Sequence, residues 1–348
     1  MAGTERTGTK VNIFVLFSGV LLSLALALMS SILAPWVAII LPIPPLVIAL
    51  VMGVLLHPWV PAASFATGLR FCVSRILRIA VALLGLRVAI GDIADLGIVA
   101  GLVIVAAMIL TILFGLWFAQ ILGLSRAFGA LAGVATAVCG ASAALATSTV
   151  LPKYEAKEAE TVFVIVAVNL LSTIAMVAYP PLAQFLGFND LQTGILLGGT
   201  IHDVAQVVGA GFSVNESVGA SSVVVKLFRV LLLLPVILIV GRFFLKPASD
   251  AKVPVPVFAF GFLLLCLVNS SIHLLPGLIP VYSLFKSAAE TLSTWGFLVA
   301  IAALGLGTSL QSIAKLGIRH ILTVTGTTLV ILGAVGLGLF LEASLKLV

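Results

Sequence analysis

Charge is what this sequence has least of. Only 9% of its 348 residues are Asp, Glu, Lys or Arg, against about a quarter in an ordinary soluble domain, while 62% are hydrophobic. A chain so poor in charge cannot cover a water-facing surface, and no stretch of it has the composition of a separate soluble domain. Cysteine is scarce too: Cys72, Cys139 and Cys266 are odd in number and scattered among apolar residues, which excludes a disulfide framework and any metal-ligand spacing. No G-x-x-x-x-G-K-[ST] loop occurs, so nothing in the chain is built to hold ATP. The net charge of +6 is spread over short connections with no basic stripe among aromatics, which argues against a nucleic-acid partner. No cofactor is implied.

What remains is hydrocarbon in long runs. Segments of roughly 18 residues or more, each able to cross a ~30 Å apolar layer as a helix, recur from end to end. By length they fall near 11–33, 36–56, 71–91, 98–121, 129–151, 161–185, 192–212, 221–243, 255–276, 287–308 and 318–341, about eleven spans in one polytopic domain covering 1–348. The fold class is therefore an all-α integral membrane protein. The first run follows Arg6 and Lys10 as a signal peptide would, but it is too long and ends in Ala34-Pro35, so it reads as a retained span. Residues 1–10 are then a short cytoplasmic N-terminus. With that start, Arg70, Arg75, Arg78, Arg126, Arg242, Lys246, Lys252, Lys315 and Arg319 fall on the cytoplasmic side and Asp92 and Asp95 outside, obeying the positive-inside rule. The C-terminus is then outside.

An internal repeat survives direct comparison. AVALLGLRVAIGDIADLGI (80–98) matches AIAALGLGTSLQSIAKLGI (300–318) at ten of nineteen positions without gaps, and the span count sets the copies in opposite directions. Inverted repeats of this sort are frequent in secondary transporters.

Two segments carry chemistry. In GALAGVATAVCGASAALATSTVLP (129–152), Cys139-Gly140-Ala141-Ser142-Ala143 lies half way along and lacks bulky side chains. Close helix packing explains small residues there. So does a helix broken near Gly140, with backbone N–H groups and the hydroxyls of Ser142 and Thr136 turned to an anion. In GTIHDVAQVVGAG (199–211), His202 and Gln206 stand four apart, on one helical face, with Thr200 and Asp203 beside them and glycines on both flanks. An ionisable group at that depth costs about 2.5–3.5 kcal/mol for Asp on insertion scales, and calls for a polar cavity or a partner. Purely internal hydrogen bonding is the plain alternative.

Lys226 and Arg229, three apart in the next span, either snorkel to the interface or supply a positive field for an anion. Arg87 suits a pair with Asp92 or Asp95. Asn169, Ser172 and Thr173 share a helix face, where interhelical bonding and substrate contact fit equally well. Glu290 reads as interfacial, and the mixed charges of KYEAKEAE (153–160) as a solvated loop.

The order VCGASAALA (138–146), GTIHDVAQVVGAG (199–211), KLFR (226–229) and LLGLRVAIGDIADLG (83–97) resembles a bacterial membrane-protein family labelled sulfate exporters, over roughly 36–341. That family is similar to the sodium–proton antiporter and bile-acid symporter superfamily. The resemblance implies inverted repeats and interrupted helices near the midplane, and suggests a homodimer. It makes Gly140, Ser142, His202, Asp203 and Gln206 the candidate site. One departure stands out: the two motif helices are a single span apart, whereas the superfamily's interrupted helices are a whole repeat apart.

Together these features point to a secondary transporter of a small anion, sulfate-like or a sulfonate, in the bacterial plasma membrane. Gly140, Ser142, Thr200, His202, Gln206, Lys226 and Arg229 would bind it, and Asp203 would take the coupling proton or sodium. A passive anion channel is one alternative. The other is an intramembrane hydrolase using Ser142 and His202, which needs hydroxyl and imidazole within hydrogen-bond reach.

Overall fold

A computed structural model describes residues 13–38, 45–88, 91, 97–244, 257–274, 277, 279–307 and 317–345. Every regular element among them is a helix and none is a strand. Asp92, Asp95, Lys246, Lys252, Lys315, residues 1–10 and much of both copies of the 80–98 and 300–318 repeat lie outside the described residues. Among the described residues, six segments are long and apolar enough to cross a membrane: Val15–Val37, Gly97–Ile121, Lys157–Phe185, Glu216–Phe244, Ile279–Gly307 and Ile318–Glu342.

The chain divides into two compact units. The first comprises residues up to Ile79 together with Thr294–Gly307. It holds α1 (Ile13–Ala38), α2 (Pro45–Leu56), α3 (Ala62–Phe71), the start of α4 (Leu77–Leu84) and the C-terminal half of α14 (Ile279–Gly307). Its core gathers Leu26, Ala49, Leu69, Cys72, Leu298 and Ala302. Glycine lets the backbones close up: a methyl group at Gly53 would stand 2.7 Å from the Ala302 carbonyl oxygen.

The second unit contains the candidate site. Its helices are α5 (Gly97–Ile121), α6 (Arg126–Ala137), α7 (Ala141–Val150), α8 (Lys157–Phe185), α9 (Asp190–Thr200), α10 (Val204–Val214), α11 (Glu216–Leu231), α12 (Leu233–Phe244), α13 (Val257–Ser271) and α15 (Ile318–Leu345), with the N-terminal half of α14. On α5, Leu102, Ile109, Leu113 and Trp117 are exposed, while Ala100, Ile104, Ala107, Thr111 and Gly115 are buried. An apolar outer face of that kind suits lipid, and the small inner residues admit a neighbouring helix.

Helix α8 is the axis about which the site is arranged. Both legs of the α6–α7 pair stand beside its first turns: the Phe128 ring lies 6.5 Å from Phe163, and Leu145 and Ser148 share a cleft with Thr161, Val162 and Ile165. The bend between them reaches the middle of α8, where a methyl group at Gly140 would stand 3.6 Å from Val168. The pair is therefore a re-entrant hairpin that enters and leaves at the same end of α8. The α9–α10 pair repeats this from the other end. Its feet are tied by Asn215 Nδ2 donating to Asp190 Oδ2 at 2.9 Å, and its bend also meets mid-α8, at Ser172. Each leg of 10–12 residues measures about 15–18 Å at 1.5 Å per residue, half the apolar thickness of a bilayer.

This corrects the expected crossings at 129–151 and 192–212. Both segments are apolar and long enough, but each reverses half way, and a length count is blind to reversal. The count of about eleven spans includes these two. The loop at 153–160 accordingly lies at the same end as Arg126, and the connection after Phe185 at the opposite end.

Local chemistry fixes the hairpin feet. Ser125 caps α6 through the Phe128 N–H at 3.0 Å, and Asn189 and Gln192 form a reciprocal capping box on α9. Asn215 caps α11 through the Val218 N–H at 2.8 Å. Helix α11 then packs between the second hairpin's legs, since a methyl group at Gly198 would meet Val225 at 2.8 Å and one at Gly211 would meet the Gly219 Cα at 2.9 Å.

Candidate functional site

The first hairpin turns at Val138-Cys139-Gly140. Gly140 has φ +62° and ψ −121°, a conformation closed to side-chain-bearing residues at ordinary cost, and the expected break near this glycine is present. Helix α7 starts at once with no side-chain cap, so its first amides face the bend without helical acceptors. Ser142 is exposed in that first turn; its hydroxyl lies 2.8 Å from Cys139 Sγ and 3.2 Å from the Cys139 carbonyl.

The second hairpin turns at Ile201-His202-Asp203. Two consecutive amides, those of His202 and Asp203, donate to Ser172 Oγ at 2.9 and 3.0 Å, pinning the bend to α8. Asp203 Oδ1 accepts from the Ala205 N–H at 2.9 Å and so caps α10. The expectation that His202 and Gln206 share one helical face is corrected here: His202 sits in the break, ahead of the cap, and Gln206 in the first turn of α10. The Thr200 hydroxyl is buried and turns back to the Leu196 carbonyl at 2.6 Å, and Thr136 meets Thr327 at 2.9 Å.

The two bends touch. A methyl group at Gly140 would lie 3.6 Å from the His202 carbonyl oxygen. Beside the junction lie Lys226 and Arg229, each 0% exposed. Lys226 Nζ donates to the Val138 carbonyl at 2.7 Å and the Ile201 carbonyl at 3.0 Å, one from each hairpin. Arg229 does likewise, with Nε on Ala137 O (3.0 Å), Nη2 on Thr136 O (2.8 Å) and Nη1 on Gly198 O (2.9 Å) and Ile201 O (3.0 Å). Both first legs end in carbonyls that carry partial negative charge, and the two cations neutralise them together. Neither cation snorkels to an interface. Two of the three Lys226 Nζ donors, and Nε, Nη1 and Nη2 of Arg229, are committed to backbone.

The imidazole orientation is set by its neighbour. Thr328 Oγ1 lies 3.0 Å from His202 Nε2 and donates to Val324 O at 2.9 Å. The other ring nitrogen is Nδ1. That atom, both amide atoms of Gln206 and Asn169 Oδ1 are buried without a protein partner. Gln206 itself is 0% exposed. Buried polar groups are ordinarily paired, so four orphaned atoms around one helix junction mark a place for something else. Ser142 and His202 do not bond to each other; one bonds Cys139 and the other Thr328.

The solvated-loop reading of 153–160 fails at one residue. Glu160, expected in a solvated loop, is buried at the foot of the first hairpin, where its Oε2 accepts from Tyr154 at 2.7 Å and its Oε1 lies 3.4 Å from His320 Nε2. The His320 ring in turn stands edge-on to Phe128, 4.6 Å between centroids. Burial and the adjacent Glu160 push the Tyr154 phenol well up, keeping it a neutral donor. No local signal marks this cluster, whose members come from three distant parts of the chain. Arg87 reaches Glu216 at 3.6 Å and the Glu290 carbonyl at 3.3 Å, and Glu290 lies 4.0 Å from Lys286.

Comparison with known proteins agrees with a shared membrane architecture. The family described as conserved hypothetical protein 698 matches residues 18–324. The UPF0324 membrane protein TauZ of Paracoccus denitrificans is 40% identical over 303 residues, spanning 85% of this chain and 88% of that protein. The UPF0324 membrane protein CT0845 of Chlorobaculum tepidum is 42% identical over 258 residues, 72% of this chain and 69% of that protein. The UPF0324 membrane protein RB0971 of Rhizobium meliloti is 40% identical over 294 residues, 83% of each. No solved structure matches. The family match and these identities over most of the sequence establish that the chain belongs to the conserved hypothetical protein 698 family, the UPF0324 membrane proteins.

Proposed function

We propose that the chain is a secondary transporter that moves a small anion, a sulfate-like oxyanion or a sulfonate, across the bacterial plasma membrane by alternating access. The observation that carries this reading is the orphaned, fully buried amide of Gln206, in the first turn of α10, beside two hairpin bends half way along α8. Broken backbone at membrane depth is tolerated where it is buried in protein or lines a cavity, and such breaks offer ion and solute sites. The uncapped start of α7 at Gly140, with Ser142, supplies amide and hydroxyl donors for an anion. His202 and Gln206 face it from the other hairpin. Lys226 and Arg229 hold the bends together and keep the local potential positive, and Thr200 closes the second leg beneath them.

Asp203 takes the coupling proton or sodium. Its carboxylate is a helix cap, so loading it changes the bonding of the α10 start directly. The arrangement of hairpin and following helix occurs twice, at 126–185 and 190–244, from opposite ends of α8. That supports an inverted repeat, over a different stretch from the one the 80–98 comparison picks out. Arg126, Lys153, Lys157, Arg242 and Arg319 lie at the first hairpin's end, beside Glu155, Glu158 and Glu160, and Arg87 and Lys286, each paired with a glutamate, at the other; since Lys and Arg set orientation, this supports a cytoplasmic N-terminus and an external C-terminus.

The test is flux in proteoliposomes. Labelled sulfate and small sulfonates should enter in a saturable way that depends on a proton or sodium gradient, and Asp203→Asn should abolish the gradient dependence. Absence of flux for every small anion tried contradicts the proposal, and single-channel currents replace it with a passive pore.

A further inference from the structure

The two hairpins differ in what their second legs expose. On hairpin two every residue from Thr193 to Thr200 and from Val204 to Gly211 is buried, and in the bend between them only Asp203 is part-exposed. Glycines of both legs close on α11, so helix packing seals this side of the junction. Hairpin one is sealed in the same way along α6, where Ala127 to Ala137 are all buried. Its second leg is open. On α7, Ser142, Leu145 and Thr149 are exposed and Ser148 is half-buried, a stripe at helical spacing that runs from the bend to the foot. On α8, Val162 is exposed and Ile165, Val166 and Asn169 are half-buried, a second stripe running from the foot to mid-helix.

The two stripes border one cleft. Leu145, Ser148, Thr161 and Ile165 line a volume of about 760 Å³ whose mouth, at the foot of the hairpin, is framed by the charged residues of 153–158. Its deep end, at Leu145 and Ile165, stands about one helical turn short of Ser142 on one wall and of Asn169, with its orphaned oxygen, on the other. An exposed hydroxyl and an uncapped helix start at mid-bilayer depth are not left to hydrocarbon; such backbone is buried in protein or lines a water-filled cavity. The groove that leaves Ser142 exposed is therefore wet. Resting on the anion-site reading, we infer that the α7–α8 cleft is the route by which the small anion passes between the site and the first hairpin's end of the membrane, and that this structure is the conformation open to that end. Leu145 and Ile165 form the inner throat of the route, and the buried legs of hairpin two are its closed far side.

The experiment uses the full chain freed of Cys72, Cys139 and Cys266, in sealed vesicles of both orientations. The probe is 2-sulfonatoethyl methanethiosulfonate, a small membrane-impermeant anion that is itself a sulfonate and is captured by thiolates. Leu145→Cys, Ser148→Cys and Ile165→Cys report on the cleft, Ser142→Cys on the site, and Leu113→Cys on the exposed outer face of α5. The three cleft variants and Ser142→Cys should be modified from the face that reaches Tyr154 and from that face alone, while Leu113→Cys stays unmodified. Adding Ser148→Trp to Ser142→Cys should remove most of its modification rate by filling the cleft. Ser148→Cys changes a single atom, so its result does not hang on tolerance of a larger change. Cleft variants as inert as Leu113→Cys, with Ser142→Cys still reactive, give the cleft to lipid and overturn the route while the anion site stands. Reaction of Ser142→Cys from the opposite face, or a rate indifferent to Ser148→Trp, does the same. If Ser142→Cys is inert from both faces, the anion-site reading falls with it.

Discussion

The two hairpins solve the same problem with opposite means. Both must reverse an apolar chain half way through a bilayer, where backbone groups released from a helix find no water. Hairpin one does it with backbone: a glycine at φ +62°, an uncapped helix start and no charged side chain in its bend. Hairpin two does it with side chains: Asp203 caps its own helix, Ser172 of α8 takes two amides, and no residue of the bend has positive φ. The first therefore offers amides to a ligand, whereas the second has its amides occupied and offers His202 and Gln206. What they share is the pair of cations, Lys226 and Arg229, each bonded to both.

That contrast can be broken at graded points. The largest loss is expected from Arg229→Ala, which strands four carbonyl contacts across both hairpins. Hydrogen bonds to charged groups are worth about 1.5–3 kcal/mol each, so the unit should lose most of its thermal stability in detergent. Arg229→Lys should recover little, since an ammonium cannot reproduce the planar fork. Next comes Ser172→Ala, which orphans the His202 and Asp203 amides of hairpin two alone, at about 1–3 kcal/mol for each in the same assay.

Gly140→Ala should cost less than the loss of both amide bonds, about 1–3 kcal/mol for a side chain held at φ +62° and ψ −121°, because the space around the added methyl is open to 3.6 Å. Its effect on flux should exceed its effect on stability, for it displaces the α7 amides. Smallest is Tyr154→Phe at the foot of hairpin one. It removes one hydrogen bond to Glu160, about 1 kcal/mol, and should leave hairpin two's labelling and ligand affinity unmoved.

Sequence alone reaches the chemistry of this site better than its shape. Gly140 and the polar trio of His202, Asp203 and Gln206 stand out because glycine and ionisable groups are conspicuous within apolar runs. At 201–203 the spacing reads as one helical face, but at Gly140 the break is legible for the same reason. Reversal is not: 129–151 and 192–212 have the length and hydropathy of crossings, and the evidence against crossing is held in long-range contacts such as Phe128 with Phe163 and Asn215 with Asp190. Lys226 and Arg229 are visible as anomalies, but their carbonyl partners lie up to 93 positions away. Ser172 is marked only as one of three polar residues on a face. Thr328, which fixes the His202 ring, has no signal at all, being one threonine among several on a long apolar helix.

The reversal of the two hairpins is most directly tested by labelling single cysteines at their feet, in a background without Cys72, Cys139 and Cys266, using a membrane-impermeant maleimide on sealed vesicles of both orientations. Cysteines at Ser125 and Tyr154 should label from one face of the membrane, and cysteines at Phe188 and Asn215 from the other. If positions 125 and 154 react from opposite faces, the first segment crosses the bilayer and the meeting of two hairpins at its centre is wrong.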